Sequence, residues 1–248
     1  MKLASLAFAA LVACAAPAAL GQEPAAPDAA PAAREQPGLK IRGLSFLADA
    51  PTTDVFAHDP AAKPGTPGVK FDIKNYLNHE FAMIPVGAEN LIFTKSGDAA
   101  STKDPASVLA KVKLPQHFRK GILVFLPGSA KPGEPIYRVL PIDDAVKVFP
   151  RGSVNVINLS PVPVKIVLEK QEYVYKSGEA KVIENQPVDA SNASAMTAYA
   201  FKDNQWQRFG QTVWPHPGEK RVIQIIFENP KSKNVELVGI RDIAVRDN

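Results

Sequence analysis

One cysteine occurs in the 248 residues, Cys14, close to the start of the chain. Downstream of it no thiolate nucleophile, thiolate metal ligand or disulfide can be built. Histidine is nearly as scarce, with His58, His79, His117 and His216 only. No two of them stand in a His-x-His or His-x3-His pair, the spacings that bring two imidazoles to one ion. No Gly-rich phosphate loop of the Gly-x-Gly-x-x-Gly or Gly-x4-Gly-Lys kind is present. Nor is there a Gly-x-Ser-x-Gly nucleophile elbow. After the first twenty or so residues, no apolar run approaches the roughly 20 residues needed to cross a bilayer as a helix. Basic residues outnumber acidic ones only slightly, for a net charge of +4. They are scattered rather than clustered, which argues against a nucleic-acid stripe. Together these absences leave no evident catalytic constellation, no cofactor and no nucleic-acid partner.

The opening residues read as an address. Lys2 precedes an apolar stretch from Leu3 to Ala16, and Ala19-Leu20-Gly21 before Gln22 is a small-x-small cleavage pattern. Residues 1–21 are therefore an export signal, and the mature protein is expected in the periplasm or outside the cell. The same stretch holds a competing signal. Leu11-Val12-Ala13-Cys14 has the form of a bacterial lipoprotein box, in which Cys14 is lipidated and anchors the chain without spanning the membrane. Residues 22–38 follow as a Pro/Ala linker. Pro24, Pro27, Pro31 and Pro37 break any helix, and nothing large and apolar is there to bury.

From Leu39 onward, short apolar or alternating runs lie between turn signals. Val69-Lys70-Phe71-Asp72-Ile73 alternates with period two. Glu89–Lys95, Ser107–Leu114, Gly121–Leu126 and Tyr137–Ile142 have strand length and composition. Asn75–Ile84 fits neither period and leaves room for a helical turn. Asp203-Asn204, between Ala195–Lys202 and Gln205–Trp214, is a tight hairpin signal. About seven strands in each hundred residues is the spacing of an all-β sandwich.

One stretch is stated twice. Lys113–Asp144 carries Pro115, Lys120, the apolar run Ile122–Leu126 and Asp144. Val213–Asp242 carries Pro215, Lys220, the run Val222–Phe227 and Asp242. Pro115 aligns with Pro215 and Lys120 with Lys220, so Leu123 aligns with Ile223. Asp144 reaches Asp242 after a two-residue loop shortening. Self-similarity of this kind marks a duplicated unit. The expected fold is all-β, with two tandem Ig-like antiparallel β-sandwiches, residues 39–144 and 145–248. Ile122–Leu126 is apolar on both faces, which predicts that its outer face packs against the other half.

Ile41-Arg42-Gly43-Leu44-Ser45-Phe46-Leu47-Ala48-Asp49-Ala50-Pro51-Thr52-Thr53-Asp54-Val55-Phe56 resembles the opening of a family of secreted bacterial Ig-like β-sandwich domains of unknown function. Phe149-Pro150-Arg151-Gly152-Ser153 and the strand ending Asn158-Leu159-Ser160-Pro161 resemble a second copy, with Pro161-Val162-Pro163 where the Asp-Ala-Pro turn would be. The resemblance touches about a third of the chain. It implies an extracytoplasmic sandwich and no particular activity.

Candidate chemistry is sparse. Trp206 and Trp214 could stack on a ligand. Strand alternation places them on one face with Arg208 and Thr212, opposite Gln205, Gln207 and Gln211, and so points both inward. His117 and His216 fall in corresponding loops and would hold a metal only by converging. Two opposed carboxylates could hydrolyse a glycoside, with Glu172, Glu179, Asp143 and Asp144 available. Asp143-Asp144 and Arg241-Asp242 close the last strand of each repeat, where a strand-terminating role is expected rather than a calcium site. The function expected from these residues is non-catalytic binding or scaffolding in the envelope, with a protein or glycan partner. The alternatives are a hydrolytic protein with a loop-built site and a lipid-anchored accessory factor.

Overall fold

A computed structural model describes residues 38–77, 80–84, 89–128, 131 and 133–243. The export signal, Cys14, nearly all of the linker and His79 lie outside the described residues. In the first half the strands are β1 (Leu39–Ser45), β2 (Phe56–His58), β3 (Val69–Lys70), β4 (Ile73–Lys74), β5 (Ala82–Ile84), β6 (Asn90–Thr94), β7 (Val108–Lys113), β8 (Lys120–Pro127) and β9 (Tyr137–Asp143). In the second half they are β10 (Val154–Asn158), β11 (Val164–Leu168), β12 (Gln171–Tyr175), β13 (Ala180–Ile183), β14 (Ala193–Lys202), β15 (Gln205–Pro215), β16 (Lys220–Glu228) and β17 (Val235–Ile243). The stretch that fitted neither period holds β5, a strand antiparallel to β1. The helix among the described residues is a single 3-10 turn, Ala99–Lys103, capped by the Asp98 side chain.

Each half closes as two facing sheets. The first pairs an inner sheet, β4-β1-β8-β9 with β5 also on β1, with an outer sheet, β3-β2-β6-β7. The second pairs inner β13-β10-β16-β17 with outer β12-β11-β14-β15. Antiparallel pairing dominates, but β1 runs parallel to β8 and to β4, and β10 runs parallel to β16. The opening strand of each half thus returns to a strand near that half's end. Each sandwich is closed by contacts between residues far apart in sequence.

Three apolar cores result. One lies within the first sandwich, around Ile41, Leu91, Phe93, Leu123 and Phe125. The second lies within the other, around Val156, Ile166, Met196, Ala198 and Ile226. The third joins the two inner sheets, with Leu44, Ile122, Val124 and Leu126 facing Ile157, Ile223, Ile225 and Phe227. Phe46 meets Phe227 edge-on across it, ring centres 5.3 Å apart. The two-faced apolar run of β8 therefore has its outer face covered by the second half, as its composition predicts. Gln36–Asn248 forms one compact unit.

The duplicated segments match with a different offset from the one the prolines suggest. Ile122 lies beside Arg42 and Ile142, and Ile223 lies beside Asn155 and Ile240. Ile122 therefore corresponds to Ile223, Val124 to Ile225 and Leu126 to Phe227, an offset of 101. All six line the shared core. Leu123, aligned with Ile223 by sequence, faces the first sandwich's own core instead. Its counterpart in β16 is Gln224. Asp144 still corresponds to Asp242, so the intervening loop is three residues shorter rather than two. A one-residue slip exchanges the two faces of a strand, so proline matching alone assigns each side chain to the wrong layer.

A second slip separates the tryptophans. Ala198 pairs with Gly210 but Tyr199 pairs with Arg208, leaving Phe209 as an extra residue in β15. This bulge inverts the alternation. Trp214 is buried in the second core, whereas Trp206 is 37% exposed on the outer sheet and packs against Phe201. The expectation that both point inward fails for Trp206 for this reason.

Candidate functional site

Beside Gln224 the second sandwich is open. A cleft of about 570 Å³ lies between β15 and β17, the free edges of the outer and inner sheets, with β16 as its floor. Val222 and Gln224 line the floor, Leu237, Gly239 and Arg241 one wall, and Thr212–Pro215 the other. His216, Pro217 and Glu219 form the rim.

The first sandwich closes the matching place with its own loop. His117 adopts a left-handed φ of 63° and Phe118 N donates to Pro115 O, so the loop folds back over β8. The Phe118 ring lies over Gly121, where a Cβ would stand 1.8 Å from ring carbon Cζ. Only glycine permits that approach. Phe118 is buried in the first core beside Leu123. In the second half the position of Gly121 is Val222, that of Leu123 is Gln224, and the loop reads His216-Pro217-Gly218-Glu219. It contains no Phe, Tyr or Trp to lie over the floor, and Gly218 takes a positive φ of 64°.

Two glutamines give the cleft its polarity. Gln186, between β13 and β14, donates from Nε2 to Ser194 Oγ at 2.7 Å and to the Trp214 carbonyl at 2.8 Å. The carbonyl can only accept, so the amide orientation is fixed and Oε1 is left as an acceptor. Gln224 lies flat over Gly239, whose ideal Cβ would stand 3.0 Å from both amide heteroatoms. Both side chains are more than nine-tenths buried, and Oε1 of each lacks a hydrogen-bond partner among the described residues. Leaving such an acceptor unpaired costs about 1–3 kcal/mol. At the rim, Gly218 N–H donates to His216 Nδ1 at 3.0 Å, which places the proton of the neutral ring on Nε2. Arg151 Nη1 donates to Glu219 Oε2 at 2.8 Å and ties the rim to the segment between the halves.

Of the residues singled out from sequence, the cleft gathers Trp214 and His216. Trp206 lies elsewhere, on the outer face, where Lys165 Nζ sits 5.3 Å from its ring centre. His117 is exposed and serves the loop that seats Phe118. Among the described residues no three His, Cys, Asp or Glu side chains are arranged to hold a metal ion. Neither Gln186 nor Gln224 stands in a motif that the sequence alone marks out. The available signal was a glutamine within the apolar run of β16, at the place where β8 has leucine.

The carboxylates Asp144 and Asp242 have another role. Arg42 Nη1 and Nη2 donate to Asp242 at 2.9 and 3.0 Å, and Nη2 also to Asp144 at 2.9 Å. Arg221 Nη2 donates to Asp242 at 2.5 Å and to Asp144. Each half supplies one arginine and one aspartate, all with essentially no solvent exposure. Burial alone would raise the Asp242 pKa, but the bonds and charge of Arg42 and Arg221 outweigh it and hold it below its ordinary value. Burial would likewise lower that of Arg42, and its two aspartates outweigh it and raise it. This neutral quartet has no access to a ligand. It fixes how the halves meet.

A second polar group, His58 with Thr94 and Ser101, has the ingredients of a nucleophile and base. His58 Nε2, however, lies 2.8 Å from Thr94 Oγ1 and 3.1 Å from the Ser96 carbonyl. A carbonyl cannot donate, so Nε2 carries the proton and is not a base toward Ser101.

Compared with known proteins, the chain matches no family model and no curated protein. Among solved structures it is similar to a "putative cell adhesion protein" from Bacteroides uniformis, at 11% identity and a TM-score of 0.21, over 84% of this chain and 98% of that one. A likeness at that TM-score carries no argument about this chain. Among the described residues no helix is long and apolar enough to cross a membrane.

Proposed function

We propose that the protein is a non-catalytic binding module of the bacterial envelope, exported by residues 1–21, which holds its ligand in the cleft between β15 and β17. The observation that carries this is the open cleft itself, floored by Val222 and Gln224 between the free edges of β15 and β17. Apolar side chains fill the matching place in the first half. A concave site with apolar walls and a few polar groups is the usual form of a small-ligand site. Binding rather than turnover is favoured by what lines the cleft. Glu219 is its one carboxylate among the lining residues, and it is already paired with Arg151. Glycoside hydrolysis by paired carboxylates needs two.

The test is a 15N-labelled sample titrated with fractionated envelope extract, glycan and peptide fractions apart. The reading predicts shifts concentrated at Trp214, Gln224 and Gly239 and a ligand recovered unchanged. Shifts confined to other surfaces, or a cleaved ligand, contradict it. Intact mass of the exported protein separates a lipidated Cys14 from a free Gln22 terminus.

A further inference from the structure

We infer that β17 takes up an extended strand of a partner protein, an acidic segment with apolar residues at alternate positions, whose side chains enter the cleft. This rests on the proposed binding role and names its partner. A strand at the edge of a sheet carries a row of unpaired backbone groups, and folded proteins ordinarily blunt it with proline, lysine or a bulge. The two halves differ in this respect. The inner sheet of the first ends at β9, where Asp144 N donates to Lys120 O at 2.9 Å. Antiparallel bonding alternates, so Pro141, opposite Leu123, turns its nitrogen to the free edge and offers no donor there. The outer edge strand β7 has Leu109 as an extra residue and carries exposed Lys111 and Lys113.

In the second half, β15 is bulged at Phe209 and ends on Pro215. β17 has no such feature. Its nine residues stay in register with β16 throughout and include neither proline nor lysine. Where β9 has Pro141, β17 has Gly239, opposite Gln224. Asn229 N donates to Asn234 O at 2.8 Å, which fixes the alternation along the hairpin. Leu237, Gly239 and Arg241 therefore turn N–H and C=O away from β16, and none of these groups has a backbone partner among the described residues. The donor–acceptor pairs recur every two residues, about 7 Å, which is the repeat of another strand. A sugar ring or a small anion spans one of them, whereas extended backbone meets all three.

Leu237, Gly239 and Arg241 also line the cleft, so alternate side chains of an added strand enter it beside Trp214 and Val222. Charge specifies the rest. Lys220 and Arg241 line the cleft with no ion-pair partner among the described residues, while Glu219 is held by Arg151. A carboxylate opposite Arg241 matches these cations. A second copy of the chain would not supply it, because the residues on that face of β17, Val235, Leu237, Gly239 and Arg241, include no carboxylate.

The experiment titrates the 15N-labelled mature chain with the capped heptapeptide acetyl-Thr-Glu-Thr-Val-Thr-Val-Thr-amide to millimolar concentration. The inference predicts shifts at the amides of Leu237, Gly239 and Arg241. Gly239→Pro, which gives β17 the residue that β9 has, should weaken binding at least about fivefold through the lost donor. Gly239→Ala turns the same Cβ toward Gln224 but keeps the N–H, and should bind within about twofold of the wild type. Should Gly239→Pro not fold, N-methylation of the central valine removes the facing donor from the peptide instead and should abolish binding, whereas N-methylation of the threonine after it should not. Replacing the peptide's glutamate by glutamine should weaken binding about two- to fivefold, and Arg241→Gln should remove that difference. No shifts along β17, or binding that neither Gly239→Pro nor N-methylation of the central valine weakens, overturns the inference. Inorganic phosphate that shifts Lys220 and Arg241 where the peptide does not overturns the strand but keeps the cleft as a ligand site. Dimers in sedimentation that Gly239→Pro abolishes, without peptide binding, overturn the acidic partner in favour of a second copy. If no probe and no envelope fraction reaches the cleft, the binding role falls as well.

Discussion

At the scale of single residues, position within a layer decides what a side chain is worth. Trp214 fills the second core and Trp206 lies over Phe201 and near Lys165 on the outer face. Trp214→Ala should cost about 3–5 kcal/mol, as for other buried aromatics, and Trp206→Ala less than about 1 kcal/mol; equilibrium urea unfolding measures both. The buried quartet behaves differently. Replacing one member leaves the others uncompensated in a dry environment, so Asp242→Ala should cost about 3–5 kcal/mol. Its pH dependence has a definite sign. The folded-state pKa of Asp242 lies below its ordinary 3.8, so its contribution is complete above the unfolded value and is lost as pH falls through the folded one. The stability gap between wild type and Asp242→Ala should therefore be constant from about pH 5 to 8 and narrow below about pH 4. A gap that widens in acid would contradict this.

Elements show how much of this was legible beforehand. The strands are plain in the sequence, because period-two alternation and the Asp203-Asn204 turn follow directly from backbone geometry. Both turn residues have positive φ, as that hairpin needs. The apolar outer face of β8 also announces its partner. What failed was phase. An extra Phe209 in β15 and a one-residue offset between β8 and β16 leave composition untouched but exchange inside for outside. No local pattern reports such a slip, since it is fixed by pairing across the sheet. The cleft was illegible for the same reason, because Gln224 stands out only once Leu123 is known as its counterpart. The loop before β8 can be tested as an element. Gly121→Ala forces a methyl into the Phe118 ring, so it should destabilise by about 1–3 kcal/mol through overpacking or eject the ring. Gly210→Ala, whose methyl would meet only Ala198 Cβ at 3.7 Å, is the control and should cost less.

For the whole molecule, the shared core and the quartet make two copies into one body. Leu44, Ile122 and Val124 on one side, and Ile223, Ile225 and Phe227 on the other, would face water if the halves parted. Expressed separately, 39–144 and 145–248 should aggregate or bind one another. The intact chain should unfold in one calorimetric transition, and two well-separated transitions would contradict a shared core. Within that body only one sandwich has its interior completed by its own loop. The other gives up apolar filling at Gln224 and opens to solvent, a departure from stability optimum of the kind that function imposes.

The unfolding free energy of Gln224→Leu tests that claim most directly. Leucine restores what the first half has at Leu123 and removes a buried oxygen that has no partner among the described residues. The substitution should raise stability by about 1–3 kcal/mol while abolishing binding at the cleft. A clear loss of stability would mean that the glutamine serves the fold, and the cleft would then be no ligand site at all.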